Sequence, residues 1–521
     1  MKFIKGKDRN QTEILCLNAQ IGQNNEVRLI DLFVESLLLS DFGFKVDYIE
    51  NGRPAYNPKD LLKLYIYGYL NSMRSSRVLE KECYRNIEVM WLMKQLSPDH
   101  NTISNFRRDN EKAIRKVFRY TVSIAKEFNL IGGKLIAGDS TKLRAQNSKK
   151  NNFNQKKIEQ HVEYIDNKIA AYNQALAEAD NDNAENKAVI EKEIQKHQHR
   201  KEFYNNLSEQ LEQTGEVQIS TSDPDSRQLI TRNNITEVAY NVQTTVDAKH
   251  NLPIDYKVTN TNDSKAMGGM LRRAKVVLGS NDFTALYDKG YHTGSEIKTA
   301  VENDIEVMVA IPDISSSSMA PDPAYNVAYF TFDKEKHQYT CPQGNLLTTN
   351  GKWYKKDRNQ PGRKKLSPIM VQHFKSTACK QCPALNLCTK NTRGRGRVIE
   401  RSEFQQYVDI NKQNIEANAQ LYRRRQAIVE HPYGIIKRQW GFYYIVTKRG
   451  IKRASADVGL MFTAFNLRRI FNILPEKLLK EFFKELVFYF LIPRSYFKPF
   501  SGIFYSKTSC SSSKINLVFN A

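Results

Sequence analysis

The chain has 521 residues, a length that predicts three or four compact units and room for a sizeable core. Apolar residues make up 40%, with 26 Tyr and 26 Phe, which excludes a mostly disordered chain. The formal charge is +23, and two stretches carry most of it: Lys352 to Arg401 holds 14 basic and 2 acidic residues, Arg423 to Arg453 holds 9 and 1. Positive charge so concentrated implies a polyanionic partner, nucleic acid first and an anionic membrane surface second.

No N-terminal stretch has the order of a signal peptide, and the late apolar run Leu486 to Ile492 is too short to span a bilayer, so a soluble intracellular protein is expected. Seven cysteines do not make a disulfide framework, yet four fall between Cys341 and Cys388, which points to metal rather than redox chemistry.

From Leu29 to Phe118 apolar residues recur three and four apart, as in Asp60 to Leu70 and Val78 to Met93, and predict an all-α region. Its last part offers Ser97 and Asp99 as caps for a short helix. That helix carries Asn101, Thr102, Asn105, Arg107 and Arg108 on faces expected to be accessible. Polar and basic side chains after a tight turn suit a helix that reads a DNA major groove; the alternative is a solvated helix in an ordinary bundle.

Lys134 to Gly138 reads as a short buried strand with Asp139 at its mouth. Asn154 to Gln213, rich in Glu, Lys, Gln and Ala and broken at Asp180 to Asn183, reads as a helical hairpin and a solvated spacer. Strands are predicted at Val238 to Asp247 and Leu252 to Asn260, paired through Ala248 to Asn251, then at Thr284 to Asp288 and Glu306 to Pro312. Helices at Ser264 to Leu278 and Glu296 to Asn303 alternate with them, giving an α/β sheet. Pro312 to Arg401 interrupts this pattern with short β-like pieces. A helix from Gln405 through Glu430, disturbed at Pro432, and an amphipathic helix from Ala456 to Phe471 follow. No internal repeat is present.

Three acidic residues are singled out by their settings: Asp139 and Asp288 at strand ends, and Glu430 on the basic helix from Leu421. Carboxylates at strand ends are costly without a cation, and three together would suit hard divalent ions. The runs Ala285-LYDKGYH, Arg425-QAIVEHPYGIIKR and Val238-AYNVQTTVDAKHNLPIDYKVTN resemble DDE transposases of insertion sequences, most closely the IS1182-like group of the IS4/IS5-type assemblage. The resemblance runs from Gly52 to Arg469.

It implies Asp139, Asp288 and Glu430 as catalytic ligands of two Mg²⁺ (or Mn²⁺) ions, with Tyr422, Arg425 and Lys437 placing DNA phosphates around the cut. One departure is that the family's signature has Arg four residues before Glu, whereas Arg425 is five before Glu430. For fold, the resemblance implies an RNase H-like mixed α/β sheet with helices on both faces. The division is then an N-terminal helical, DNA-binding domain over 1–125, a first part of the catalytic core over 130–312 with a helical insertion at 154–213, a basic Cys-rich insertion over 313–401, a second core part over 402–475, and a poorly ordered tail over 476–521.

In the Cys-rich insertion, Cys341, Cys379, Cys382 and Cys388 fit a structural zinc with four sulfurs; the other reading is free thiols in a loop, with His337 or His373 as neighbours. Arg393, Arg395 and Arg397 form a cationic run read as phosphate contacts or as a solvated loop. His431 beside Glu430 could help activate water, but beside Pro432 it is read as a packing residue. The function implied is cleavage and strand transfer at the ends of the element's own DNA, in the bacterial cytoplasm at the nucleoid. Double-stranded DNA, both terminal inverted repeats and target, is the partner, with a homodimer at synapsis and no membrane. The alternatives are an inactive DNA-binding remnant and an RNase H-like nuclease without strand transfer.

Overall fold

The computed structural model describes residues 10, 14, 16–44, 54–178, 184–231, 235–313, 320–358, 366–391 and 396–491. Near the N-terminus the helices are α1 (Glu26–Glu35), α2 (Pro58–Leu70), α3 (Ser76–Arg85), α4 (Ile87–Leu92), α5 (His100–Asp109) and α6 (Glu111–Glu127). Asn57 caps α2 through Lys59 N–H, with Pro58 in the first turn, where its missing N–H costs nothing. The helix predicted over Val78 to Met93 is two helices. Asn86 ends α3 and its side chain accepts from Glu88 N and Val89 N, so a short polar residue stops one helix and starts the next. At α5 the cap is Asp99, which accepts from Asn101 N and Thr102 N.

The main sheet contains β1 (Leu135–Arg144), then, after the antiparallel helices α7 (Gln155–Glu178) and α8 (Ala184–Thr214), β2 (Arg227–Ile230), β3 (Thr236–Asp247) and β4 (Leu252–Thr259). Helix α9 (Met267–Leu278) leads to β5 (Thr284–Tyr287), and α10 (Gly294–Glu302) leads to β6 (Glu306–Val309). The order across the sheet is β4-β3-β1-β5-β6, with β2 on the start of β3. Strand β3 is antiparallel to β1 and β4, while β1-β5 and β5-β6 are parallel, which needs the helical crossovers that α9 and α10 help supply. The pairing of β1 with β5 stops at Ala137↔Leu286, although β1 continues to Arg144. From Gly138 to Leu143 that edge of β1 pairs with no described strand, until Arg144 meets Tyr444 in an isolated parallel bridge, and the predicted short strand ending at Asp139 is instead a long one passing through it.

The region after β6 folds as its own antiparallel sheet, β7 (Thr331–Asp333), β8 (Gln338–Thr340), β9 (Leu346–Thr349), β10 (Tyr354–Lys356), β11 (Ile369–Lys375) and β12 (Ile399–Ser402). Phe330, Tyr339, Leu347, Phe374 and Ile399 form its core. The helices α11 (Gln405–Ala417) and α12 (Ala419–Tyr433) replace the single helix predicted there. The break falls at Asn418, whose side chain bonds back to Asn414 O. Pro432 does not end α12; the chain continues as a π-helical turn over Gly434–Gln439.

Helix α13 (Ile451–Ile473) is not amphipathic: every residue from Ala454 to Leu467 is buried, because it lies between the N-terminal helices and the sheet. Residues 476–491 form α14 (Glu476–Leu491) rather than a loose tail, with Leu479 and Phe483 fully buried and the Phe483 ring edge-on to Phe33 of α1. The tail beyond 491, like the hairpin break at 179–183, lies outside the described residues. One continuous apolar core joins α1, α2, α6, the sheet and α13.

Candidate active site and its supporting residues

Gly138 lets the site form. A Cβ there would lie 2.0 Å from Tyr287 Cε1, so only glycine allows the Tyr287 ring to lie against β1. This brings Asp139 beside the end of β5, where Asp288 follows. Asp288 caps the short turn Lys289–Tyr291 by accepting from Gly290 N (2.9 Å). Asp139 Oδ1 accepts from Ser140 N (2.7 Å), and its Oδ2 lies 3.6 Å from Arg425 Nη1. Burial pushes the Asp139 carboxyl up to about 6; the Ser140 N–H and Arg425 pull it down, and the negative charges of Asp288 and Asp263 push it further up.

Helix α12 lies over this mouth. Tyr422 Oη donates to Tyr287 O (2.9 Å), Tyr433 Oη donates to Asp139 O (3.3 Å), and Lys437 Nζ, on the π-helical turn, donates to Thr141 Oγ1 (3.0 Å). The structure thus brings together Asp139, Asp288, Tyr422, Arg425 and Lys437. Glu430 is exposed on the same helix and accepts from Gln426 Nε2 (2.9 Å). Among the described residues no three Asp, Glu, His or Cys side chains stand in a group that could hold a metal ion. The His431 ring packs edge-on against Phe465, as expected of a packing residue.

Two expected DNA contacts are corrected. Arg107 is buried at 3% exposure: its Nη1 donates to Tyr69 Oη (2.9 Å) and Arg74 O (3.0 Å) and stands 3.9 Å from Asp457. A guanidinium on the inner face of α5 holds the core together and cannot reach a groove. Asn105 and Arg108 stay exposed, Arg108 paired with Asp109. Arg397 is likewise buried, with Nη1 donating to Cys388 O (2.9 Å); Arg393 and Arg395 lie outside the described residues. Cys341, Cys379, Cys382, Cys388 and Arg397 line one cavity of about 20 Å³. Burial pushes the Cys388 thiol up, Arg397 pulls it down, and the three neighbouring thiols push it up again.

Sequence reasoning missed Tyr433, Lys142 and Asp263. Lys142 lies on β1, the strand that carries Asp139, and Asp263 follows β4 closely, so proximity to the predicted strands was the available signal.

Residues 15–109 match a family model described as Transposase domain (DUF772), and residues 340–471 match Transposase DDE domain. Both matches are to transposase domains and support a DDE transposase of the insertion-sequence type, and the IS1182-like group fits the first match. Glu430 and Lys437 lie inside the second match, whereas Asp139 and Asp288 lie outside both. No curated protein matches the chain. A piggyBac transposase synaptic complex with hairpin DNA is similar over 89% of this chain and 85% of that one, at 7% identity and a TM-score of 0.23, too low to carry an argument. Among the described residues no helix is long and apolar enough to cross a membrane.

Proposed function

We propose that this transposase cuts and joins DNA at the ends of its own element with Asp139 and Asp288 as the paired carboxylates of the site and Glu430 as the third. The observation that carries the reading is the meeting of Asp139 and Asp288 where β1 loses its neighbour, with Arg425 3.6 Å from Asp139. Hard oxygen donors and a half-buried, undercompensated carboxylate fit a divalent cation such as Mg²⁺. Bound there, the cation supplies activation of a water or 3′-hydroxyl nucleophile and neutralises charge on the phosphate.

The chain's own residues prepare that chemistry. Tyr422 fixes the end of β5 just before Asp288, and Lys437 is anchored on β1 through Thr141. Arg425 offers a guanidinium whose Nη1 is buried without a hydrogen-bond partner, a donor suited to a phosphate oxygen. Glu430, exposed on α12 just before the π-helical turn, is the third carboxylate of this reading and would have to move to join the two aspartates. The strand order, three antiparallel strands followed by two parallel ones on the side of β1 opposite β3, supports an RNase H-like core.

Asp288→Asn should abolish Mg²⁺-dependent cleavage of a duplex carrying the element's end while leaving binding of that duplex intact, because one ligand charge is lost and the surface is kept. Equal loss of both would make Asp288 a folding residue and overturn the assignment. Gel filtration of the protein with end DNA tests the homodimer: pairing of two ends requires two chains in one particle.

A structural zinc on the four cysteines would need their thiolates closer than they stand here, where no three described side chains form a metal-holding group; the soft sulfur donors sharing one cavity are what support that reading. Metal analysis should then give about one zinc per chain, lowered in Cys382→Ser. Full retention in that variant would leave the cysteines as free thiols.

A further inference from the structure

Behind the aspartates, on the face of β1 and β3 opposite Thr141, lies a polar cluster with no part in the reading above. Asp263 opens the short turn Asp263–Lys265 after β4. Its Oδ1 accepts from Asn241 Nδ2 and from Gln243 Nε2, both at 2.7 Å, and its Oδ2 accepts from Lys142 Nζ at 3.0 Å. Lys142 Nζ also donates to Ser140 Oγ (3.0 Å), next to Asp139. Gln243 in turn accepts from Tyr291 Oη. Asn241, Gln243 and Tyr291 are all at most 1% exposed.

The orientation of Gln243 is decided by this arrangement. A carboxylate only accepts, so Asp263 must face the Gln243 NH₂ group, which leaves Gln243 Oε1 to receive the Tyr291 hydroxyl. Tyr291 is the one buried residue of the turn Lys289–Tyr291, which Asp288 caps through Gly290 N. The Tyr291 ring packs against Tyr287 at 4.9 Å, on the strand that leads into Asp288. Gly290 has no side chain between the two carboxylates: a Cβ there would lie 3.1 Å from Asp288 Oδ1 and 3.7 Å from Asp263 Oδ2.

We infer that Asp263 is a positioning residue for the DNA-cleaving reaction: through Gln243 and Tyr291 it holds the turn that carries Asp288, and through Lys142 it fixes the strand segment that carries Asp139. The inference rests on the assignment of Asp139 and Asp288 above. Asp263→Asn supplies an amide that can donate as well as accept. Gln243 is then free to rotate, and the tie to Tyr291 and the charge opposite Lys142 are lost together. Supporting residues behind metal-holding groups commonly change metal affinity or activity by about 10–100-fold when replaced.

The experiment compares wild type, Asp263→Asn, Tyr291→Phe and Asp288→Asn. Tyr291→Phe keeps the buried ring and removes the hydroxyl, so it answers the question if Asp263→Asn fails to fold. Amide hydrogen exchange on the DNA-free protein should rise in residues 288–292 and not in β6 for both Asp263→Asn and Tyr291→Phe. The Mg²⁺ concentration for half-maximal cleavage should rise by about 10-fold in both, with end binding unchanged. Wild-type exchange over 288–292 and wild-type Mg²⁺ dependence in Tyr291→Phe, with Asp288→Asn inactive, would overturn the positioning role alone. Full cleavage by Asp288→Asn would instead overturn the reading on which it rests.

Discussion

Arg425 of α12 stands 3.6 Å from Asp139 of β1, so the guanidinium that would meet a phosphate is held, without DNA, by a carboxylate that would meet a cation. The pair keeps each charge partly compensated at a partly buried edge, where either alone is costly.

Asp139 sets a pH dependence. Its carboxyl rests at about 6 in the folded chain against an ordinary 3.8, because burial disfavours the anion. Below pH 3.8 the group is neutral both folded and unfolded; as pH rises through 6 the folded chain must carry a buried anion. Metal-free wild type should therefore lose stability relative to Asp139→Asn between about pH 4 and 6, by up to about 3 kcal/mol. Urea denaturation in EDTA across that range checks it, and parallel curves for the two proteins would contradict it.

The buried ionic cluster of Arg74, Arg107, Tyr69 and Asp457 is the seam between the N-terminal helices and α13. Asp457 is fully buried, pairs with Arg74 at 3.5 Å and accepts from Tyr69 and from Val446 N. Asp457→Ala leaves two guanidinium groups without their anion and should cost about 3–5 kcal/mol. Thermal denaturation reads this directly; a loss under about 1 kcal/mol would mean that water replaces the carboxylate.

Asn105 and Arg108 separate stability from recognition. Replacing both by Ala should leave stability within about 0.5 kcal/mol while lowering preference for the element's ends over random DNA. Arg107→Ala should do the reverse, lowering stability first. Competition binding and denaturation on the three proteins distinguish the cases.

Gly138→Ala would drive a methyl into Tyr287, at 2.0 Å from Cε1. Overpacking of this kind costs about 1–3 kcal/mol or more, and here the displaced strand end carries Asp288. Stability and cleavage should fall together while the helical hairpin α7-α8, with its own core, keeps its exchange protection.

Arg423 and Arg424 are exposed on α12 beside the site. Changing both to Ala should flatten the salt dependence of DNA binding by up to about 2 in slope, for specific and random DNA alike. An unchanged slope would move the DNA track away from α12.

Much of this arrangement was legible in the chain. The strands at Val238 to Asp247 and Thr284 to Tyr287 announce themselves by composition and flanking turns, and the Asp288-Lys-Gly-Tyr run points to the proposed site. Arg107 was not legible, because it sits one residue from Arg108 on α5 and only the packing of Tyr69 and α13 decides which points inward. Arg397 was hidden in the same way: a run of alternating Arg and Gly looks solvated until a cavity claims one member. Asp263 escaped because its meaning depends on Asn241 and Gln243 in a neighbouring strand, a relation set by sheet register rather than by spacing along the chain.

The packing of Phe483 on Phe33 has a consequence for synthesis. Helix α1 leaves the ribosome well before α13 and α14, which complete the surface it must bury. The helices before β1 thus wait, partly open, until α13 is made, and a chain lacking α13 has no partner for that apolar face. The core is therefore closed only when α13 and α14 have been added to it.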